Sequence, residues 1–280
     1  MMLSFHTRYR PLTSRPFLSN ASYREYAPCS ALRPYVACFW GIESGEAKGN
    51  EEAEVQQVLV IPDTCMDIII EINHSRQQIT SRLCGIQDSP MYVEQRRGHE
   101  EVTSFAVRFH FWAASLFLKL NMRDMCNQVL DLEPILPECG RELQRLFYLD
   151  SMREKIAWME DYLLKRVDEI NGNPNLYNSI DHILTTSGRA SVKEICQYSC
   201  VSQRQLERLF QREIGISIKR TASLVRYQNV WRDMVRLSSF DVQDAVYQYG
   251  YADQPHLLNE FKRFHGTTPD QARQIALANR

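Results

Sequence analysis

The sequence predicts an α+β chain. Its N-terminal part reads as a small antiparallel β-barrel with accompanying helices, and its C-terminal part as an all-α module with two helix-turn-helix units joined by one long helix. Three observations carry this. Short β-branched runs separated by turn residues lie between Tyr35 and Phe111, helical apolar spacing takes over beyond Leu116, and one supersecondary unit occurs twice near the C-terminus.

The strand signals are VQQVLVIP (Val55–Pro62) and MDIIIEI (Met66–Ile72), split by the turn signal Pro62-Asp63. VTSFAVRFHF (Val102–Phe111) puts Phe105, Val107, Phe109 and Phe111 on one face, and Ala106, Arg108 and His110 on the other. Leu116–Leu120 and Cys139–Val167 then have helical spacing, with Leu143, Leu146, Phe147, Ile156, Met159, Leu163 and Val167 as the apolar stripe. That stripe has two readings, a helix packed on its own domain or a dimerisation surface. Asn171-Gly172-Asn173-Pro174 breaks the pattern. The expected divisions are a poorly ordered arm at 1–20, a sensor-like domain at 21–136, a helical connector and linker at 137–174, and a final domain at 175–280.

Composition narrows the function classes. Apolar residues make up 44% and charged residues 24%, as in ordinary globular chains. No apolar run approaches the roughly 20 residues a bilayer span needs. Arg8, Arg10, Pro11, Arg15 and Pro16 stand where a signal peptide would be apolar, so a cytoplasmic location is expected. Eight cysteines (Cys29, Cys38, Cys65, Cys84, Cys126, Cys139, Cys196 and Cys200) form no C-x-x-C pair, which points away from a zinc ribbon or a thioredoxin-type motif. The net charge of −1 hides an asymmetry: residues 175–280 carry 14 Lys+Arg against 10 Asp+Glu, and the remainder 19 against 24. A mildly basic module on an acidic one suits a modest attraction to phosphate, not a polybasic clamp.

The repeat comprises VKEICQYSCVSQRQLERLFQREIG (Val192–Gly215) and VQDAVYQYGYADQPHLLNEFKRFHG (Val242–Gly266). Val192 answers to Val242, Leu206 to Leu257, Phe210 to Phe261 and Gly215 to Gly266, at offsets of 50 to 51. In the first unit Ser202 is an N-cap, and Leu206, Leu209 and Phe210 form a buried face. The opposite face carries Gln203, Arg204, Glu207, Arg208 and Gln211, side chains suited to base edges. In the second, Gly250 supplies the turn, Asp253 caps, Pro255 sits in the first helical turn, and Leu257, Phe261 and Phe264 face inward. Gln254, His256, Asn259, Lys262 and Arg263 lie outward. Ile218–Leu237 reads as one long helix that fixes the spacing of the two units. Any surface helix carries such polar residues, but two copies in register with matching Gly residues make a strong signal.

On these residues the segment from about Asn175 to Arg273, including GYADQPHLLNEFKRFHGTTP (Gly250–Pro269), resembles the DNA-binding domain of the AraC/XylS family of bacterial transcription regulators. The resemblance implies a seven-helix domain whose two recognition helices enter successive major-groove segments. It implies base contacts from Gln203, Arg204, Glu207 and Arg208 in the first unit and from Gln254, His256 and Asn259 in the second. Arg212, Lys262 and Arg263 are the candidates for phosphate contacts. More discrimination is expected from the first unit and more phosphate anchoring from the second. Two departures stand out: Cys200 occupies the usual turn Gly position, and Ser217-Ile218 replaces a small residue plus Pro. Either the first turn differs in shape or it tolerates the strain of a non-Gly residue at positive φ. Cys196 and Cys200, four apart, also have a redox or metal reading, weighed against plain core packing for Cys196.

Tyr23 to about Leu136 is similar to a cupin-like sensor domain of one AraC-type subfamily, through LRPYVACFW (Leu32–Trp40), VLVIPDTCMDIII (Val58–Ile70) and FAVRFHFWAA (Phe105–Ala114). His74, His99 and His110 lack the H-x-H spacing of a cupin metal site, so no metal, cofactor or catalytic residue is expected. Cys65, Asp67 and Arg108 are the candidate lining of an effector pocket; a core Cys and an Asp–Arg ion pair are the competing reading. Expected partners are double-stranded promoter DNA, RNA polymerase, a small-molecule effector and a second copy of the chain, with no membrane. Two other functions stay open: a DNA-targeted alkyl-acceptor repair enzyme, and a protein-interaction module favoured by Glu207, Glu260 and the modest charge.

Overall fold

The computed structural model describes residues 4–12, 23–43, 55–96, 100–167 and 172–278. Strands β1 (Tyr23–Tyr26), β2 (Val36–Glu43), β3 (Val55–Val60), β4 (Cys65–Asn73), β5 (Gln78–Cys84), β6 (Met91–Arg96), β7 (Val102–His110) and β8 (Val129–Asp131) account for the N-terminal β-structure. They form a six-stranded antiparallel sheet in the order β1-β2-β7-β4-β5-β8 and a separate two-stranded ribbon, β3-β6. The expected antiparallel β-structure is present, as a sheet and a ribbon without hydrogen bonds joining them among the described residues.

The alternation read in Val102–Phe111 is kept, but it does not separate core from solvent. Both faces of β7 are buried from Phe105 to His110. One face feeds the main core through Phe105, Val107 and Phe109, with Phe39, Ile68, Ile70 and Leu83 from neighbouring strands. The other face carries Ala106 in a small cluster with Tyr23, Cys38 and Trp40, and beside it a row of polar side chains. Register places Cys38 opposite Arg108, Arg108 opposite Asp67, and Asp67 opposite Cys84.

Helices α1 (Phe5–Arg8), α2 (Ala114–Leu118), α3 (Leu132–Ile135), α4 (Pro137–Leu143) and α5 (Met152–Val167) complete this part, with a 3₁₀ turn at Gln144–Tyr148. The arm expected at 1–20 differs in residues 4–12, which pack down. Phe5 and Tyr9 are buried in the main core, and Phe5 meets the Trp112 ring edge-on at 5.4 Å. Burial of two aromatic rings outweighs the charge that made the segment look solvated. Residues 1–3 and 13–20 lie outside the described residues. The helical stripe belongs to the core: Leu143, Leu146, Met159 and Leu163 are buried there, with Phe147, Ile156 and Val167 packed against them.

Seven helices follow among the described residues: α6 (Pro174–Thr185), α7 (Val192–Ser199), α8 (Gln203–Glu213), α9 (Ile218–Arg236), α10 (Val242–Tyr249), α11 (Gln254–His265) and α12 (Pro269–Ala278). Asn173 caps α6 by accepting from the backbone N–H groups of Asn175 and Leu176, so the Asn-Pro break starts a helix as well as ending one.

Arg108 is the charged centre of the sheet. Its guanidinium grips Asp67 through Nε at 3.0 Å and Nη2 at 2.8 Å, with Asp63 at 3.5 Å and Glu25 at 3.8 Å. Trp40 Nε1 donates to the same Asp67 carboxylate at 3.1 Å. Replacing Asp67 by Ala leaves a buried guanidinium with only the more distant Asp63 and Glu25. The expected loss of stability is about 3 kcal/mol, at the lower end for a broken buried pair, read as a lowered urea midpoint.

Candidate nucleic-acid interface

Both helix-turn-helix units start from strong local caps. Ser191 and Glu194 form a reciprocal capping box at α7, and Asp241 accepts from the N–H groups of Gln243 and Asp244 at α10. Each first helix spans eight residues and ends in a left-handed residue. Cys200 has φ 54° and ψ 36°, and Gly250 has φ 65° and ψ 37°. The two turns therefore share one shape, and the first tolerates a side chain in a conformation that favours Gly. Cys200 is exposed and Cys196 half-buried.

The step in offset from 50 to 51 has a location. Residues 200–202 separate α7 from α8, whereas residues 250–253 separate α10 from α11. Ser202 then caps α8 by accepting from Gln205 N at 3.3 Å, and Asp253 caps α11 by accepting from His256 N at 2.8 Å.

Each second helix buries its predicted apolar face: Leu206, Leu209 and Phe210 in α8, and Leu257, Phe261 and Phe264 in α11. Gln203, Arg204 and Arg208 are exposed on α8; Gln254, His256 and Asn259 are exposed on α11, as are Lys262 and Arg263. Arg212 is exposed and paired with Glu213 at 2.7 Å. His256 is oriented locally, its ring edge-on to Tyr251 at 5.2 Å and its Nδ1 accepting from Ala252 N at 3.4 Å. Arg263 stacks over the Phe264 ring at 4.5 Å and lies 3.8 Å from Glu260.

Two acidic residues have structural tasks. Glu207 is half-buried, and its carboxylate accepts from the Ile218 N–H at 3.3 Å, which ties α8 to the start of α9. Glu260 takes the place that Leu209 holds in the first unit. It is buried, with Arg226 of α9 donating to both of its oxygens at 2.7 and 2.8 Å and the Tyr251 hydroxyl at 2.9 Å. The Arg226 guanidinium also lies over the Tyr251 ring, 4.2 Å from its centroid. Burial raises the Tyr251 phenol well above its ordinary value, so the hydroxyl remains a donor. The i+3 spacing from Leu257 is a sequence signal that could have placed position 260 on the inward side.

The N-terminal part also approaches α8. The turn at residues 121–125 lies against α8, where Met122 N donates to the Arg212 carbonyl at 2.7 Å. Nothing in its sequence, short of a buried Met in a polar stretch, marks this turn. Arg220 of α9 reaches Asp88 at 2.5 Å, a second contact between the two parts.

The effector-pocket candidates are brought together. Cys65, Asp67 and Arg108 are all buried, and the ion pair of the competing reading is formed. Burial and the nearby carboxylates push the Cys65 thiol well up. Burial also lifts the Asp63 carboxyl to about 6 against the pull of Arg108. Among the described residues no group of three or more His, Cys, Asp or Glu is placed to hold a metal ion. No described helix is long and apolar enough to cross a membrane.

A family model described as a helix-turn-helix domain matches residues 195–275, and one described as a domain of unknown function, DUF6597, matches residues 24–131. No curated protein matches the chain. A transcriptional regulator structure from Chromobacterium violaceum, of the AraC-type DNA-binding class, is 22% identical over 36% of this chain and 90% of its own, with a TM-score of 0.34. The C-terminal domain of the Geobacillus stearothermophilus response regulator AraT is 19% identical over 36% and 85%, with a TM-score of 0.34. ToxT from Vibrio cholerae is 11% identical over 80% and 98%, with a TM-score of 0.42.

Two substitutions test the unequal repeat. Cys200→Gly is expected to stabilise the chain by up to about 1 kcal/mol, because it removes a Cβ from the left-handed region; a lowered melting temperature would contradict the shared turn. Glu260→Ala leaves Arg226 buried without its carboxylate and is expected to cost about 3–5 kcal/mol in denaturant titration.

Proposed function

We propose that the chain is an AraC-type DNA-binding transcription regulator and that α8 and α11 are its recognition helices, set into successive major-groove segments of promoter DNA, a reading supported by the helix-turn-helix family match over residues 195–275. The observation that carries this reading is the pair of equivalent turns, each presenting a helix with an exposed polar face and a buried apolar one. Helix α9 joins them. Its 19 residues give a rod about 28 Å long, of the order of the roughly 34 Å between major-groove segments one turn apart on one face of the duplex.

In this reading Gln203, Arg204 and Arg208 address bases from α8, and Gln254, His256 and Asn259 from α11. Lys262, Arg263 and Arg212 anchor phosphates, Arg263 with its guanidinium held over Phe264. Glu207 serves α8 chiefly by fixing it to α9, so base selection in the first unit rests on the two arginines and Gln203. The chain works in the cytoplasm and needs no catalytic group. RNA polymerase and a second copy of the chain are further partners in this reading, and an effector bound by the N-terminal part adjusts how the two helices are presented.

The interaction-module alternative loses its support from Glu260, which is an internal ion-pair partner and not a surface charge. The repair alternative finds no favouring observation. Cys38 and Cys65 are buried in the sheet, while the exposed Cys200 lies in the first helix-turn-helix unit.

Mobility-shift titration with the chain's own promoter region tests the reading. Arg204→Ala and Arg208→Ala are each expected to weaken specific binding by about 1–3 kcal/mol and to relax preference at the contacted base pairs. Unchanged affinity and unchanged sequence preference in the double variant would overturn it.

A further inference from the structure

We propose that the N-terminal part itself contacts the DNA backbone, through Arg123, in a phosphate-binding groove shared with the first recognition helix. The proposal rests on the reading of α8 as a recognition helix and adds to it a DNA contact from outside the helix-turn-helix domain. An open groove of about 400 Å³ runs along one flank of α8, lined by Asn121, Arg123, Gln205, Arg208, Leu209 and Arg212. Three of these six side chains are guanidinium groups and none is a carboxylate.

The groove is built, not a chance approach of two surfaces. Asn121 Oδ1 accepts from Arg123 N at 3.1 Å, which closes the turn locally. Met122 N donates to the Arg212 carbonyl at 2.7 Å, and the Met122 side chain is fully buried. On the other side Gly215 packs so closely that a Cβ there would come within 2.6 Å of the Met122 carbonyl oxygen. The backbone carrying Arg123 is thus pinned to both ends of the α8 C-terminal turn, while its side chain stays exposed.

Charge identifies the occupant. Arg204, Arg208 and Arg212 are spaced four apart along α8, so the groove continues the base-reading edge without a break. Arg212 has Glu213 beside it, but among the described residues Arg123 and Arg208 have no carboxylate partner. Like charges gathered at one groove repel, and a polyanion that follows the groove removes that cost. A duplex seated on α8 carries its sugar-phosphate strand past the flank of the helix, where Arg123 meets it. A contact of this kind positions the duplex and carries no sequence information.

The test is fluorescence-anisotropy titration of the full chain with its promoter duplex and an unrelated duplex, across a monovalent-salt series. Arg123→Ala is expected to weaken both duplexes by the same factor, about eightfold at 0.1 M salt, and to lower the slope of log affinity against log salt by about 0.9. Arg123→Lys should restore most of both. Arg153→Ala removes the same charge from the exposed side of α5, outside the groove lining, and is expected to change the slope far less. Wild-type binding by Arg123→Ala at every salt concentration, or an equal loss in Arg153→Ala, overturns the proposal. Arg204→Ala separates the two levels. If it abolishes sequence preference while Arg123→Ala does nothing, only the groove is wrong; if neither matters, the recognition-helix reading fails as well.

Discussion

Burial of α9 along its whole length is the constraint on which the rest of the structure depends. Ile218, Leu224, Val225, Tyr227, Val230, Trp231 and Met234 are nearly inaccessible, on more than one side of the helix. A helix apolar on several faces must be enclosed, and the enclosing elements here are both reading units and α12. The polar groups that go inside with it are paired: Arg226 with Glu260, the Tyr227 hydroxyl with His265 Nδ1 at 2.8 Å, and Gln228 with the Pro62 carbonyl. Burial pushes His265 down to about 3, which keeps its ring neutral beside Tyr227. The separation of α8 and α11 is therefore a property of a packed core and not of a tether.

That core does not stop at the reading domain. Gln228 also accepts from the backbone N–H of Leu12 at 2.9 Å, so one α9 side chain holds both the N-terminal segment and the loop after β3. Arg220, a few turns earlier, binds Asp88. Bonds from Arg220 and Asn127 hold that carboxyl below its usual range despite the burial that would raise it. The exposed Arg8–Asp181 pair adds little, since solvent screens it. What joins the two parts is buried apolar surface with a few enclosed polar bonds. The N-terminal part thus touches α9 and α8 directly at Leu12, Pro62, Asp88 and Met122.

The reading domain was legible in the sequence because its signals are local. Caps, helix lengths and turn residues sit within a few positions of one another, and repetition doubled each of them. The long α9 and the outward faces of α8 and α11 follow from such spacing, whereas the count of seven helices came from what the resemblance implies. What escaped detection depends on partners far along the chain. Glu260 looked like a surface charge until Arg226, 34 residues earlier, was placed beside it. Glu207 looked like a base reader until the first N–H of α9 came within its reach. Phe5 and Tyr9 lie among charged residues, and only the core they enter reveals their role. The Asp67–Arg108 ion pair was already one of the two readings of those residues, and the pairing of β4 with β7 forms it.

The net charge of −1 shows how a whole-chain sum can mislead about a local field. Of the 33 basic residues, those that matter for an anion are the few whose neutralising partners lie elsewhere or do not exist. Arg108, Arg220 and Arg226 are consumed by internal carboxylates and contribute structure. Arg204 and Arg208 project from a helix with two acids, of which Glu207 is turned toward α9 and Glu213 pairs with Arg212. Of the α8 arginines, Arg212 is thus offset by Glu213, while no carboxylate partner is found for Arg204 or Arg208 among the described residues. At the first unit the Ile218 N–H orients the Glu207 carboxylate toward the start of α9, while Arg204 and Arg208 stay exposed.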